Sequence, residues 1–428
     1  MTEKSNIIVV GAGIVGLSAA AALVRRDLSV TIIDPSEPGR GCSYGNAGCF
    51  SLASIIPVGM PGIWRKVPGW LLDPDGPLSI PPRYACQVSP WILKLLRYST
   101  AKRVLHIVDD LHTLLAPTLK YWRPLASWAG VPDLIQQNGW AVAYESPAAF
   151  KGDQLGWRLR AEHGVQIEIL EGQAIRELEP KLAQKFSHMA YLPEQAQCPN
   201  PLRLSQALEM RLRDYGTRFV KASAQGFLYK EGKVDAVVTD SGKISADHVV
   251  IAAGAFSKRL ARELGNDIPL ETERGYHTMV KTSQQTLSRP IMSAEGKFFA
   301  TPMEDGIRFA GSVELGGLNL APNFGRADVL LKKGKAMLPE LETEVTSQWM
   351  GFRPSLPDSK PVIGPSRKAQ NAYYTFGHGH VGLTAAAATG EIIADLICGR
   401  HPDISPQPFL PDRFQESGSA RSRFFHRV

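Results

Sequence analysis

Residues Ile7–Asp34, IIVVGAGIVGLSAAAALVRRDLSVTIID, read as strand, glycine turn, helix, strand and acid, and this unit decides the fold. In Gly11-Ala12-Gly13-Ile14-Val15-Gly16, the first glycine permits the tight turn. Gly13 lets backbone approach a pyrophosphate, and Gly16 lets the helix close on the strand. The amides that open the helix at Ile14 and Val15 offer unpaired N–H groups and the positive end of the helix dipole to phosphates. Asp34 ends the second strand, where a carboxylate accepts from ribose hydroxyls and repels a 2′-phosphate. The unit grips a dinucleotide, but alone it leaves a nicotinamide and a flavin both open.

At 428 residues and 46.7 kDa the chain has room for about two or three domains. Its 44% apolar and 21% charged residues are ordinary for a globular protein. No basic stretch leading into an apolar run and cleavage site opens the chain, and no uninterrupted apolar run reaches the roughly 18 residues of a membrane span. Five scattered cysteines (Cys42, Cys49, Cys86, Cys198, Cys398) lack a C-x-x-C pair, which argues against disulfides or a metal site and suits a reducing cytoplasm. The net charge of +7 comes without a basic run interleaved with aromatics, so nucleic acid is not an expected partner. The terminal SARSRFFHRV, where Arg421, Arg423 and Arg427 flank Phe424 and Phe425, suits either an inert tail or peripheral contact with anionic lipid.

Working outward from the opening unit, a helix is expected over residues 14–26 and a strand over 29–34. From Ile55 to about Tyr98, Pro57, Pro61, Pro68, Pro74, Pro77, Pro81, Pro82 and Pro90 argue against long regular elements. Trp64, Trp70 and Trp91 imply that this segment is packed down, as a lid, an acceptor-docking face or an irregular loop. Helical pattern returns from Ala101 to Trp128, broken at Pro117 and Pro124. A strand follows at Trp140–Tyr144 and a helix over 147–163; Asn200 and Pro201 then cap and open a helix running to about Tyr215. Strands are expected at 217–221, 226–230, 234–239 and His248–Ile251, with alternating strands from 266 to about 316. The pattern ends with helix Arg326–Met337, a strand at 372–376 and a small-residue helix from about Leu383 to Ile397. The mixture predicts an α/β fold, a Rossmann-like domain with an inserted α+β domain built on an antiparallel sheet.

Three distant segments bear on the cofactor. Gly41–Gly48, GCSYGNAG, is a second polar glycine-rich loop whose amides and hydroxyls can meet a pyrophosphate or a flavin edge. Asp247–Ser257, DHVVIAAGAFS, is a buried strand whose small-residue end can carry backbone against a ligand. Gly377–Thr384, GHGHVGLT, is a glycine turn feeding a helix whose N-terminus can face an electron-rich ring. A resident flavin needs such enclosure, whereas an exchanging nicotinamide does not.

These blocks, with GFRPSLPD at Gly351–Asp358 leading to PVIG at Pro361–Gly364 and with GHGHVGLTAAAATGEIIADLI, occur in the order found in the FAD-dependent D-amino-acid oxidase-like family. The chain resembles that family from Ile7 to about Cys398. Within it, the chain is most similar to bacterial D-amino-acid dehydrogenases, including those acting on D-proline and hydroxy-D-proline. The resemblance implies bound FAD, held without a covalent link to Cys42 or Cys49. It places Ser43, Asn46, Ala47 and Gly48 at the flavin, and the backbone of Ala224 at the adenine end. Ala253 and Gly254 would lie close to FAD, and His380, Val381, Gly382, Leu383 and Thr384 at the pyrimidine edge. It further implies hydride transfer from the substrate Cα to flavin N5, with a quinone or respiratory chain ahead of oxygen as electron acceptor. The cytoplasm is the expected location, with peripheral contact at the inner membrane face. The expected FAD-binding domain comprises 1–55, 175–265 and 350–410, the substrate domain 56–174 and 266–349, and a flexible tail 411–428.

Such a reaction needs a group for the substrate carboxylate and a neutral amine when hydride leaves. Arg353, in the family's G-x-R-P motif, is the expected carboxylate anchor, a guanidinium fork being always charged and bidentate; the alternative is a structural ion pair with Asp358 or another acid. Tyr276 and His277, in ERGYHTMV, begin a strand expected to roof the site, and His378 and His380 flank Gly379 in the terminal turn. Two other readings stay open: a sarcosine-type secondary-amine enzyme, and a flavin-holding subunit of a larger complex.

Overall fold

The computed structural model describes residues 5–282, 286–341 and 344–415. Strand β1 (Asn6–Val10) turns at Gly11 into helix α1 (Ile14–Val24) and returns as the parallel strand β2 (Ser29–Asp34), with Val10 opposite Ile33. Strand β3 (His248–Ile251) lies on the other side of β1. Arg218–Lys221 extends the sheet beyond β2, while Ala372–Phe376 and then the antiparallel Val362–Pro365 extend it beyond β3. The β1 and β3 runs, IIVV and VVI, are continuously apolar because helices or a second sheet cover both faces. The chain leaves β1 toward β2 on one side and reaches β3 on the other. The crevice at the carboxyl ends of these strands is thus the topological switch point at which α/β sheets bind ligands.

The second layer is a larger, mostly antiparallel sheet. Its working end consists of β4 (Glu271–Val280), β5 (Gly306–Leu315) and β6 (Val345–Ser355), with β4 in the middle and helix α2 (Gly325–Met337) on the outer face. Beyond β5 follow Phe298–Met303, Ile291–Ser293, Trp140–Tyr144, His188–Leu192 and Glu168–Glu171. Helix α3 (Gly382–Ile397) packs on α1 so closely that a Cβ on Gly390 would lie 2.6 Å from the Ser18 carbonyl oxygen. The run Gly379–Ile397 has the length and mean hydropathy (1.2) of a membrane span, although its sequence is not uninterruptedly apolar; two-thirds of it is buried in this core.

Three expectations are corrected and one unexpected strand is added. Pro82–Tyr98 is a 17-residue helix despite its prolines. Pro82 occupies the first turn, where no N–H is needed, and Pro90 removes a single bond from a surface helix that buries only Val88 and Trp91. The G-x-R-P motif lies in the 11-residue strand β6, which the alternation had not revealed; Pro354 is tolerated because β6 is the sheet edge. The expected domain bounds do not follow the sheets. Glu168–Glu171 and His188–Leu192 pair together in the large sheet, and helices Ala101–Leu115 and Thr118–Trp128 bury Val108, Leu114 and Trp122 in the α1–α3 core. The expected tail is packed at its start, where Arg413 Nε lies 2.7 Å from the buried Asp358 carboxylate; 416–428, with the basic-aromatic cluster, lies outside the described residues.

Candidate active site

The glycine turn closes as its residue types require. Asp34 Oδ2 accepts from the Ala12 amide and Oδ1 from the Ser36 amide, both at 2.8 Å, which leaves each oxygen a further lone pair. Burial pushes the Asp34 carboxyl up, and the two amides oppose that shift. Gly11 (φ +115°) passes so near β3 that a Cβ would stand 2.4 Å from the Ala252 oxygen. A Cβ on Gly13 would meet only Ser43 Oγ, at 3.4 Å, and one on Gly254, just after Ala253, would meet nothing within 4 Å. Backbone is therefore bared toward open space at the ends of β1 and β3. Ser43 Oγ accepts from the Ile14 amide at 2.8 Å and ties the second glycine loop to the start of α1.

That loop is folded on itself. Asn46 donates to the Ser43 carbonyl and accepts from the Gly48 amide, each at 2.7 Å. Arg308 of β5, buried with no carboxylate partner among the described residues, donates through Nη1 to the Tyr44 and Asn46 carbonyls at 3.0 and 2.7 Å. Just beyond Ala47 and Gly48, the Ser51 amide donates 3.0 Å to Thr384 Oγ1, so the loop meets the opening turn of α3. That turn (Gly382, Leu383, Thr384), following the buried Val381, has no acidic residue and no side-chain cap on its first amides. Ala224 lies near the end of β2, its carbonyl accepting from Arg259 at 2.9 Å.

The inward face of β4 carries Glu273, Gly275 and His277. Gly275 pairs with Gly351 of β6, and on this glycine pair lie two large side chains. Arg353 lies flat over Gly275, where a Cβ would stand 2.1 Å from Nη2. Its Nη1 donates to the Ser312 carbonyl at 2.8 Å and its Nη2 to the Gly311 carbonyl at 3.3 Å. Ser312 has φ +62° in a bulge of β5, the irregularity that presents these carbonyls to the guanidinium. Glu273, 2% exposed, accepts from His380 Nε2 at 2.7 Å; burial raises its carboxyl, but His380 and Arg353 together hold it below the usual range. His277 Nδ1 lies 3.1 Å from the Gly45 carbonyl and so carries the proton, leaving Nε2 buried without a partner among the described residues. Burial and the Arg308 charge push the His277 ring down to about 3.

Residues 6–396 match the model of the DAO family, the FAD dependent oxidoreductases. The chain belongs to this family. This FAD-dependent oxidoreductase is 41% identical over 421 residues to a D-amino-acid oxidase of Bradyrhizobium diazoefficiens, spanning 97% of this chain and 100% of the relative. It is 28% identical to a D-amino acid dehydrogenase of the same organism, over 96% of this chain and 99% of that one. Among solved structures, glycine oxidase from Geobacillus kaustophilus matches with a TM-score of 0.75 at 19% identity, covering 97% of this chain and 100% of the other. L-proline dehydrogenase from P. horikoshii matches with a TM-score of 0.73 at 19% identity, covering 97% and 98%. At these identities the structural likeness is one of fold.

FAD fits the residues present. The bared backbone at Gly13 and Gly254, the spare lone pairs of Asp34 and the uncapped first turn of α3 match a pyrophosphate, a ribose and an electron-rich ring in turn. Of the expected catalytic side chains, the fold brings Arg353, His277 and His380 to one face of β4 and β6. Tyr276 points the other way, as strand alternation demands: its hydroxyl donates to Glu314 and accepts from the Asn323 amide at 3.0 Å, beside α2. His378 turns inward to Thr389 Oγ1 at 3.2 Å, and burial pushes its ring down to about 3. Asp358, the alternative partner for Arg353, is taken by Arg413. Sequence reasoning missed Glu273, Arg308 and Trp349. The E-x-G-x-H alternation of 273–277 carries a usable signal, masked because the sequence reading begins the strand at Tyr276, five residues after the observed start at Glu271.

Proposed function

We propose that this FAD-dependent oxidoreductase oxidises the Cα–N bond of a D-amino acid to the imine, which water then hydrolyses. Arg353 carries the reading. It is half-buried, fixed flat on a glycine, and spends two of its five N–H groups on carbonyls while forming no ion pair among the described residues. A substrate carboxylate is the partner such a fork lacks. FAD supplies the two-electron acceptor for the hydride leaving Cα. Glu273 and His380 sit beside the anchor; with Nε2 of His380 donating to Glu273, its Nδ1 is left to take the proton the substrate ammonium must lose. His277 holds the Gly45 carbonyl and thereby the loop, while Tyr276 and His378 are structural. Support for the D configuration comes from the relative at 41% identity. Within D-amino acids, the motif resemblance extends the reading to D-proline and hydroxy-D-proline.

Anaerobic bleaching of the flavin absorbance tests this. D-proline, D-alanine or another D-amino acid should bleach it and the L-enantiomers should not. Bleaching by L-enantiomers, or by sarcosine alone, would overturn the proposal, and bleaching by none would leave a flavin-holding subunit.

For the acceptor, we propose a membrane quinone reached from the cytoplasmic face. The segment from 55 to 105 supports it: Trp64, Leu72 and Leu93 are 59%, 84% and 64% exposed, among Arg65, Lys66, Lys94 and Arg97. Co-sedimentation with anionic but not neutral vesicles is expected, together with faster turnover on a soluble quinone than on oxygen.

A further inference from the structure

The inward face of the large sheet holds a second large side chain that the reaction above does not use. Trp349 lies across from His277 on β6, its indole stacked on the imidazole at 5.3 Å between centroids and 22° between planes. Its six-membered ring rests on backbone at two points. A Cβ on Gly351 would stand 1.9 Å from Cη2, and one on Gly45 2.0 Å from Cε3. The edge of Tyr44 closes a further side at 6.1 Å and 81°. Two glycines in different elements, with no Cβ to spare, thus make a slot for one indole, which is nonetheless only half-buried and makes no hydrogen bond among the described residues. An aromatic ring locked this firmly with one side left open is built to receive something.

Its position says what. Gly275 and Gly351 are cross-strand partners, and partners across an antiparallel ladder lie about 5 Å apart. The Arg353 guanidinium occupies the first glycine and the outer edge of the Trp349 indole the second. A molecule whose carboxylate is held by Arg353 therefore has the substituent on its α-carbon beside the indole. Directly behind that wall the imidazole is neutral, donating to a backbone carbonyl, and the Arg308 charge beyond it is turned to the loop carbonyls. We propose that Trp349 is the specificity-determining wall of the substrate pocket, selecting amino acids with an apolar or ring-shaped side chain over acidic ones. This rests on the role proposed for Arg353. The wall acts by flat apolar contact, which a ring or a branched chain satisfies and a hydrated carboxylate does not.

The test uses the FAD-loaded enzyme and two unreactive carboxylates, benzoate and acetate, whose binding is followed by the shift in flavin absorbance. Trp349→Ala should weaken benzoate by about tenfold or more, about 1.4 kcal/mol, and leave acetate within about twofold. Gly351→Ala, whose new methyl displaces the indole without removing it, should act in the same direction, and Trp349→Phe should recover most of the loss. In turnover, KM for D-phenylalanine or D-leucine should rise in Trp349→Ala far more than KM for D-alanine. FAD content per chain, measured after denaturation, should stay at the wild-type value in each variant. An equal loss for benzoate and acetate would overturn the proposal, because Trp349 would then only support Arg353; no loss for either would also overturn it. Failure of the wild-type enzyme to bind either carboxylate, or retention of both by Arg353→Ala, would instead refute the anchor on which it rests.

Discussion

Strand β4 sets two polar faces back to back. On the α2 side, Arg274 donates to the carbonyls of Gly317, Leu320 and Ala321 at 2.8, 2.7 and 3.1 Å and lies 3.5 Å from Glu314. Tyr276 completes that network with one bond given to Glu314 and one accepted from Asn323. On the other side, one residue along, Arg353 has N–H groups to spare, His277 Nε2 has no partner among the described residues, and Trp349 leaves a face open. Both faces are rich in polar groups, the α2 face fully buried and the inward face partly so. The difference is satisfaction: the α2 face has its hydrogen bonds made, whereas the inward face keeps polar atoms unpaired among the described residues. A candidate site is thus marked by the bonds its polar groups still lack, more than by their number.

The comparison breaks most sharply if the two arginines exchange roles on mutation. Arg274→Met strands the buried Glu314 and should cost about 3–5 kcal/mol of stability, read as a lowered urea midpoint, with KM of the folded enzyme nearly unchanged. Arg353→Lys should show the reverse. The urea midpoint should barely move, whereas substrate KM should rise about a hundredfold, about 2.7 kcal/mol, because an ammonium cannot reproduce the fork. A large KM effect from Arg274→Met would sink the distinction. Tyr276→Phe comes next. It deprives Glu314 and the Asn323 amide of a shared hydroxyl and should cost about 2 kcal/mol of stability while leaving KM and kcat within about twofold. A tenfold fall in kcat would return Tyr276 to the reaction.

The same contrast explains what could be read beforehand. The unit from Ile7 to Asp34 is legible to within two residues because its pattern is local: the glycine spacing sits between buried strands that announce themselves as apolar runs, even though Gly11 and Gly13 meet Ala252 and Ser43. The helices capped by Asn200 and preceding Ile397 were equally local. The inward face was legible only in part. Arg353 and His380 were reached through motifs, yet Tyr276 and His277 were indistinguishable as neighbours until the register showed that alternate residues face opposite ways. Glu273 has a signal in its own strand alternation, but Arg308 and Trp349 become visible only with their partners, which lie 262 and 264, and 72 residues away along the chain (Asn46 and Tyr44; His277). The Pro82–Tyr98 helix failed for another reason: proline was weighed as a breaker without regard to where in a helix it falls.

His277 gives the smallest effect and the finest probe of the inward face. Its ring is held neutral by burial, with its folded value near 3, while an unfolded chain protonates it near its ordinary 6.5. Below about pH 6.5 the unfolded state therefore binds a proton that the folded state refuses, so stability must fall as pH falls, by up to about 1.4 kcal/mol per pH unit for this ring. His378, also held near 3 by burial, adds a like slope from inside the α3 core. Urea midpoints between pH 6.5 and 5, a window above the main carboxylate titrations, should thus decline in the wild-type chain. Burial also pushes His112 and His248 down, so His277→Phe, which keeps a ring against Trp349 but cannot take a proton, should make the decline shallower without abolishing it. An unchanged slope would mean that His277 is open enough in solution to be protonated in the folded state. Substrate carboxylate or amine would then meet a charged ring on the inward face, and the neutral imidazole behind Trp349 would have to be abandoned with it.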